Sequence, residues 1–291
     1  MSSPREPVGL IAGQGRMPLL VARGVREAGH PLVVVGLRGY ASERLAGQAD
    51  AFAWRGLTRL GGWIRFFKAH GVGKAVMIGS VRKQAMFSPL RLVHNLPDWR
   101  SARLWYCLIR RDKRDDAVLR AVAEELASEG IQLVSSVEYC EEHLAGEGVL
   151  TKKAVPAAAA ADVDFGWRIA VASADLDIGQ AIAVKERDII AVEAIEGTDE
   201  MIRRAGQLCP VGGWTMIKVA RSRQDMRFDV PTVGPKTLRN LRDAGCGCLV
   251  VEAGKTLIVD KPVTLALADQ LGIAVVGRQR CQAQQGQAAP D

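Results

Sequence analysis

Hydrophobic and polar positions come in blocks along the chain, and the blocks differ in period. Val8 to Ala12 and Leu32 to Val35 are short continuous apolar runs, the pattern of strands covered on both faces. Between them, Leu19 to Ala28 carries apolar residues at helical spacing and stops at Gly29. The first run enters that helix through Gly13-Gln14-Gly15-Arg16-Met17-Pro18. Strand, glycine turn, helix, strand predicts an N-terminal Rossmann-like doubly wound α/β unit. Trp54 to His70 is expected as a loop and a helix, and Lys74 to Ile78 as a third strand with Gly79-Ser80 at its end. A helix over 117–128, a strand over 131–134 and a short helix over 136–144 follow.

Residues 146–161 hold Gly148, Lys152, Lys153, Pro156 and a run of alanines with weak patterning, which predicts a linker, or a linker passing into a helix. Asp162 or Asp164 is expected to cap the next helix. Beyond it the rhythm changes. Gln180 to Lys185 and Asp188 to Ala194 flank Glu186-Arg187-Asp188, a hairpin signal. Gly197-Thr198-Asp199 opens a helix with Thr198 as the expected N-cap. Thr215 to Val219, Cys248 to Val251, Thr256 to Val259 and Ile273 to Val276 are expected strands, with helices over 237–244 and 262–271 and a frayed polar tail from Gln279. The predicted organisation is a domain over 1–146, a linker over 147–161, and a mixed α/β domain over 162–291.

Composition narrows the chemistry. A hydrophobic content of 48% with 24% charged residues is that of a soluble globular protein, and no apolar run approaches the roughly 20 residues that span a bilayer. The N-terminus lacks a secretory pattern. The expected location is cytoplasmic, with a peripheral position on the inner membrane as a further option. Six cysteines without CxxC spacing and four isolated histidines offer no zinc site.

Charge is unevenly placed. The segment 82–114 has nine Lys/Arg against Asp98 and Asp112, an excess of +7 that equals the whole chain's net charge. Phe87, Trp99, Trp105 and Tyr106 are interleaved with those cations. Such a segment suits an anionic membrane surface, an amphiphilic anionic substrate or nucleic acid, and a solvated basic helix is the plain alternative. A second dense stretch, KVARSRQDMRFDVPTVG, sets Asp225 and Asp229 among Lys218, Arg221, Arg223 and Arg227. A polyanion would explain its cations, and a metal or proton-transfer role its carboxylates.

The glycine turn at Gly13, Gln14 and Gly15 would present N–H groups and a helix N-terminus to a phosphate. A dinucleotide fingerprint is incomplete, because the run is GxGxxP and the second strand ends in Gly36-Leu37-Arg38-Gly39 without an acidic residue. An NADP-linked oxidoreductase therefore stands as an alternative, as does a non-enzymatic protein binding anionic lipid or nucleic acid.

Six blocks in order carry a resemblance: GLIAGQGRMP (9–18), RDDAVLRAV (114–122), DLDIGQAIAV (175–184), AVEAIEGTDEMIRR (191–204), RFDVPTVG (227–234) and GxxxxxxEAGKTLIVD (245–260). Together the chain resembles the LpxI-type UDP-2,3-diacylglucosamine pyrophosphatase family of lipid A biosynthesis. The resemblance implies two domains, and hydrolysis with Mg²⁺ of UDP-2,3-diacylglucosamine to lipid X and UMP. It places the catalytic aspartate at Asp229, in the C-terminal domain, as metal ligand or water-orienting group. Asp225 or Asp177 would assist, while Lys218 and Arg227 neutralise the phosphates. Gly197 and Thr198 would offer N–H donors, and Gly79 with Ser80 lies at a ligand-binding strand end. Gln180, Asp199 and Thr232, within the matching blocks, complete the expected substrate contacts. The partners implied are the nucleotide lipid and an anionic inner-membrane surface rather than nucleic acid; homo-oligomerisation is left open.

Overall fold

The structure, a computed structural model, describes residues 5–81, 97–110, 115–221, 225–227 and 230–280. The chain divides into two compact units, Met1–Glu141 with Asp225–Asp229, and Glu142–Gln224 with Val230–Asp291.

The first unit is built on a parallel sheet of β1 (Val8–Ala12), β2 (Leu32–Leu37), β3 (Ala51–Arg55), β4 (Lys74–Ile78) and β5 (Gln132–Val134), in the order β3-β2-β1-β4-β5. Every residue of β1 and β2 is buried, as continuous apolar runs require of central parallel strands. The strand β3 is not apparent in the sequence. Its five residues lie at the sheet edge between Asp50 and Gly56, and only Ala53 is fully buried, so neither a long apolar run nor a clear alternation marks it. Helix α1 (Met17–Glu27) begins at the glycine turn with Pro18 in its first turn, where a missing N–H costs nothing. Helix α2 (Leu60–Ala69) packs Leu60, Trp63, Ile64 and Phe67 into the core.

The basic aromatic segment is described over 97–110; its remainder, 82–96 and 111–114, lies outside the described residues. Helix α3 (Trp99–Leu104) is capped by Asp98, which accepts a hydrogen bond from Ser101 N–H at 3.0 Å. Two of its arginines are not free cations. Arg100 pairs with Glu125 at 3.0 Å and Glu129 at 2.5 Å, and Arg103 with Glu125 at 3.1 Å; Glu125 belongs to helix α4 (Asp115–Ser128) and Glu129 follows its end. The rings of Trp99, Trp105 and Tyr106 remain largely exposed.

The second unit holds a mixed sheet in the order β6-β13-β11-β9-β7-β8 and a two-stranded piece. Its strands are β6 (Gly148–Val149), β7 (Ala181–Lys185), β8 (Asp188–Val192), β9 (Trp214–Lys218), β10 (Thr232–Val233), β11 (Cys246–Glu252), β12 (Leu257–Ile258) and β13 (Ala274–Arg278). Strands β9, β11 and β13 are parallel, the predicted β7–β8 hairpin is antiparallel, and β10 pairs with β12. Helices α5 (Ala157–Asp175), α6 (Thr198–Leu208), α7 (Pro235–Asp243) and α8 (Lys261–Leu271) complete it. Apolar clusters built on Trp214 and Met216, and on Trp167 and Ile217, form its core.

The stretch expected as a linker is stitched into the second unit: β6 pairs with β13, Lys153 N–H donates to Asp269 at 2.9 Å, and Thr151 accepts from Val275 N–H at 3.0 Å. Helix α5 starts at Ala157 with Pro156 as N-cap, so neither Asp162 nor Asp164 caps it. Asp162 is buried and accepts from Arg187 N–H at 2.7 Å, holding the hairpin turn, while Asp164 pairs with Arg278 at 2.7 Å. Of the tail expected to fray from Gln279, Arg280 is buried and residues 281–291 lie outside the described residues.

Candidate active site

In the first unit the two glycine loops meet. Gln14 and Ser80 form a reciprocal backbone bridge, with both N–H···O distances 2.9 Å. They sit beyond the C-terminal ends of β1 and β4, between which the strand order turns about, the position where open parallel sheets bind ligands. A Cβ on Gly13 would lie 2.8 Å from the Gly79 carbonyl, so the approach needs glycine there. Gly13, Gln14, Gly79 and Ser80 are thus brought together, as expected of a site. Their role as phosphate donors is narrowed, because Gly13 N–H is bonded to Ile78 O and Gln14 N–H to Ser80 O. Gly15, at φ 115°, faces open space.

Asp225 and Arg227 also belong to the first unit, although their sequence neighbours belong to the second. Ser135 fixes this segment by donating to Met226 O at 2.8 Å. The two charged residues are closed on each other. Arg227 reaches Asp225 with Nε at 2.9 and 3.0 Å and Nη2 at 2.5 Å, and its N–H adds a bond at 3.1 Å. That guanidinium holds the Asp225 carboxyl below its usual range, against a smaller opposing effect of burial. Asp225, expected to assist catalysis, and Arg227, expected to neutralise phosphate, are thus hydrogen-bonded to each other. Asp229 lies outside the described residues.

In the second unit a chain of polar side chains runs across one end of β7, β8 and β9. Lys218, nearly buried, donates from Nζ to Thr198 Oγ1 at 3.2 Å, and that hydroxyl donates to Glu193 Oε1 at 2.7 Å. The Thr198 hydroxyl is thereby taken by Glu193 and is not the helix cap; the N-cap of α6 is Gly197, at φ 84°. The first turn of α6 remains a favourable place for negative charge. Gln180, just before β7, accepts Val219 N–H at its carbonyl. Its Oε1 and Glu193 Oε2 are buried acceptors without a hydrogen-bond partner among the described residues, an arrangement that native proteins tolerate mainly where a ligand, ion or water completes it. Gly179 permits this crowding, since a Cβ there would fall 1.8 Å from the Glu193 carbonyl oxygen.

Asp177, at φ 58°, pairs with Arg221 at 3.0 Å. Asp199 turns to α7, where it accepts from Lys236 at 2.5 Å and Asn240 at 2.9 Å, which ties two helices. Thr232 Oγ1 donates to Val230 O at 2.9 Å, a local turn bond.

Magnesium needs hard oxygen donors and keeps several waters, so one or two carboxylates suffice. Among the described residues no three His, Cys, Asp or Glu side chains converge as ligands. The unpartnered carboxylate oxygen of Glu193 fits a sparse oxygen site rather than a protein cage. Thiol chemistry is disfavoured where it can be judged: burial pushes the Cys246 and Cys248 thiols up to about 12.

Two residues were not assigned a site role from sequence. Glu193 stands five residues before Thr198 with no motif spacing of its own. Glu252 is buried at the end of β11, where its Oε2 accepts Ala220 N–H at 2.8 Å. Arg280 lies 3.1 Å from Glu252 and from Asp175 and donates to Ala220 O. This network holds the chain as it leaves β9 after Lys218. A buried acid within an apolar strand was the only signal.

Comparison with known proteins places both halves. Residues 7–143 match the LpxI N-terminal domain and residues 146–276 the LpxI C-terminal domain. The chain is 34% identical over 278 residues to the UDP-2,3-diacylglucosamine pyrophosphatase LpxI of Caulobacter vibrioides, covering 93% of this chain and 96% of that protein. A UDP-glucose-4-epimerase from Stenotrophomonas maltophila, with bound NAD and formylated UDP-arabinopyranose, aligns at 13% identity over 44% of this chain and 35% of its own, with a TM-score of 0.28 from which nothing follows. The chain belongs to the LpxI-type UDP-2,3-diacylglucosamine pyrophosphatase family.

Proposed function

We propose that this protein hydrolyses the pyrophosphate bond of UDP-2,3-diacylglucosamine with Mg²⁺, giving 2,3-diacylglucosamine 1-phosphate and UMP. Family membership across nearly the whole chain supports this over the oxidoreductase and non-enzymatic alternatives. The observation that carries the chemistry is the Lys218–Thr198–Glu193 chain at the start of α6. The order β3-β2-β1-β4-β5 supports reading the first unit as Rossmann-like.

Pyrophosphate hydrolysis needs neutralisation of the phosphoryl oxygens and an oriented water. Lys218 supplies a cation held by hydrogen bonding to Thr198, so little reorganisation is needed when negative charge develops. Glu193 fixes the Thr198 hydroxyl by accepting its proton at Oε1. Asp229 orients the attacking water or holds the metal; as the water's oxygen bonds to phosphorus its proton passes to solvent, and the phosphorus–bridging-oxygen bond breaks with the electron pair leaving on the departing phosphate. Magnesium, held by Asp229, would supply charge neutralisation on the phosphates. Exposed Trp99, Trp105 and Tyr106 offer apolar surface for acyl chains or the membrane interface.

The test is UMP release from the diacyl substrate by Asp229→Ala. A fall of at least about 100-fold is expected for loss of a group acting in the transition state; turnover near wild type would reject the assignment. Treatment with EDTA should abolish activity and Mg²⁺ restore it, and indifference to both would remove the metal.

A further inference from the structure

A cavity in the first unit is lined by none of the candidate site residues described above. It has a volume of about 570 Å³, within the range that holds a small organic ligand. Arg38 enters it from just beyond β2, Trp54 and Arg55 from the end of β3, and Arg59, Arg65 and Phe66 from α2 and the residue before it. These are again C-terminal ends of parallel strands, the ligand-binding edge of such a sheet.

Four guanidinium groups face one carboxylate, that of Asp98. Asp98 is already committed, accepting from Ser101 N–H at 3.0 Å and Gly62 N–H at 3.3 Å. Arg55 donates to Trp54 O at 2.9 Å and lies 5.5 Å from the Phe66 ring centroid. Arg38, Arg59 and Arg65 make no ion pair among the described residues. Like charges gathered on one concave surface attract an anion that neutralises them, and guanidinium forks match phosphate oxygens two at a time. Trp54 and Phe66 add flat faces of the kind that take a nucleobase.

We propose that this cavity binds a nucleoside phosphate, the arginines taking the phosphate and an aromatic ring the base. The cationic cavity stands without the reading above, which contributes only the choice of uridine as the base. A flat membrane or a polynucleotide would need a continuous basic face, whereas these arginines converge on a concave volume.

Calorimetric titration of UMP, pyrophosphate and uridine into the full chain tests this, with Arg59→Gln/Arg65→Gln as the variant. Both side chains are exposed, and unfolding curves should confirm an unchanged fold. UMP and pyrophosphate should bind more tightly than uridine, and the double variant should weaken UMP by about tenfold or more. A raised KM for UDP-diacylglucosamine, with UMP competing, would show that the cavity takes the substrate's own nucleotide. An unchanged KM with lost UMP binding would show that a free nucleotide is the ligand. Equal UMP affinity in wild type and variant would overturn the proposal. So would an absence of UMP and pyrophosphate binding at millimolar concentration, or binding of anionic vesicles or nucleic acid alone. Asp229→Ala should still bind UMP here, so failure of the hydrolytic reading and failure of the cavity are separable.

Discussion

Two sets of arginines in this protein have opposite surroundings. In the second unit, Arg280 is buried between Glu252, Asp175 and the Ala220 carbonyl, with Lys255 also 3.1 Å from Glu252. In the first, Arg38, Arg59 and Arg65 line a cavity without a carboxylate partner among the described residues. A buried charge must be compensated within the fold or the fold is lost. An exposed cation can wait for its anion, because water screens it meanwhile. The difference separates arginine that holds structure from arginine available to a ligand.

The largest effect should come from breaking the compensated set. Arg280→Met leaves Glu252 buried with Lys255 as its remaining cation, and should lower unfolding free energy by about 3–5 kcal/mol in denaturant titrations. By contrast, Arg65→Ala should change stability by no more than about 0.5 kcal/mol. Equal losses would dissolve the distinction.

Lys218 is an intermediate case, a buried cation bonded to a neutral hydroxyl. Lys218→Met should reduce kcat/KM by about 100-fold, the scale of one preorganised electrostatic contact, and Thr198→Val should reduce it less by loosening the ammonium. If Thr198→Val proved the more damaging, the hydroxyl rather than the cation would face the substrate.

A small effect also belongs to Asp225 and Arg227, a pair that is compensated but partly exposed. The folded-state pKa of Asp225 is lowered, chiefly by hydrogen bonds from Arg227. Its stabilisation is therefore present above the unfolded value near 3.9 and is lost as pH falls through the folded value. Asp225→Asn should cost under about 1 kcal/mol at neutral pH after solvent screening, and the gap from wild type should close below about pH 4. A gap that persists in acid would mean that Asp225 acts through something other than its charge.

Much of the fold was legible because its signals are local. The apolar runs of β1 and β2, the glycine stops and the β7–β8 hairpin each sit within a few consecutive residues. The edge strand β3 was not, since a half-buried strand of five residues carries little period. Asp162 and Asp164 resembled caps, but their partners, Arg187 and Arg278, are 25 and 114 residues away. Of the candidate site, the positions of Gly13 and Gly79 at strand ends were legible, but their close approach was not. Neither was the ring of contacts through Glu193.

By itself the sequence determined the strand and helix blocks, the family, and the concentration of charge near Asp225 and Asp229, all properties of residues close in the chain. Only the tertiary structure decided which charges are neutralised. It put Asp225–Arg227 with the first unit, buried Arg280 against Glu252, and gathered arginines from a strand end, a loop and a helix around one cavity. The physical reason is that charge compensation depends on distance in space, and the partners here are brought together by sheet order rather than by spacing along the chain.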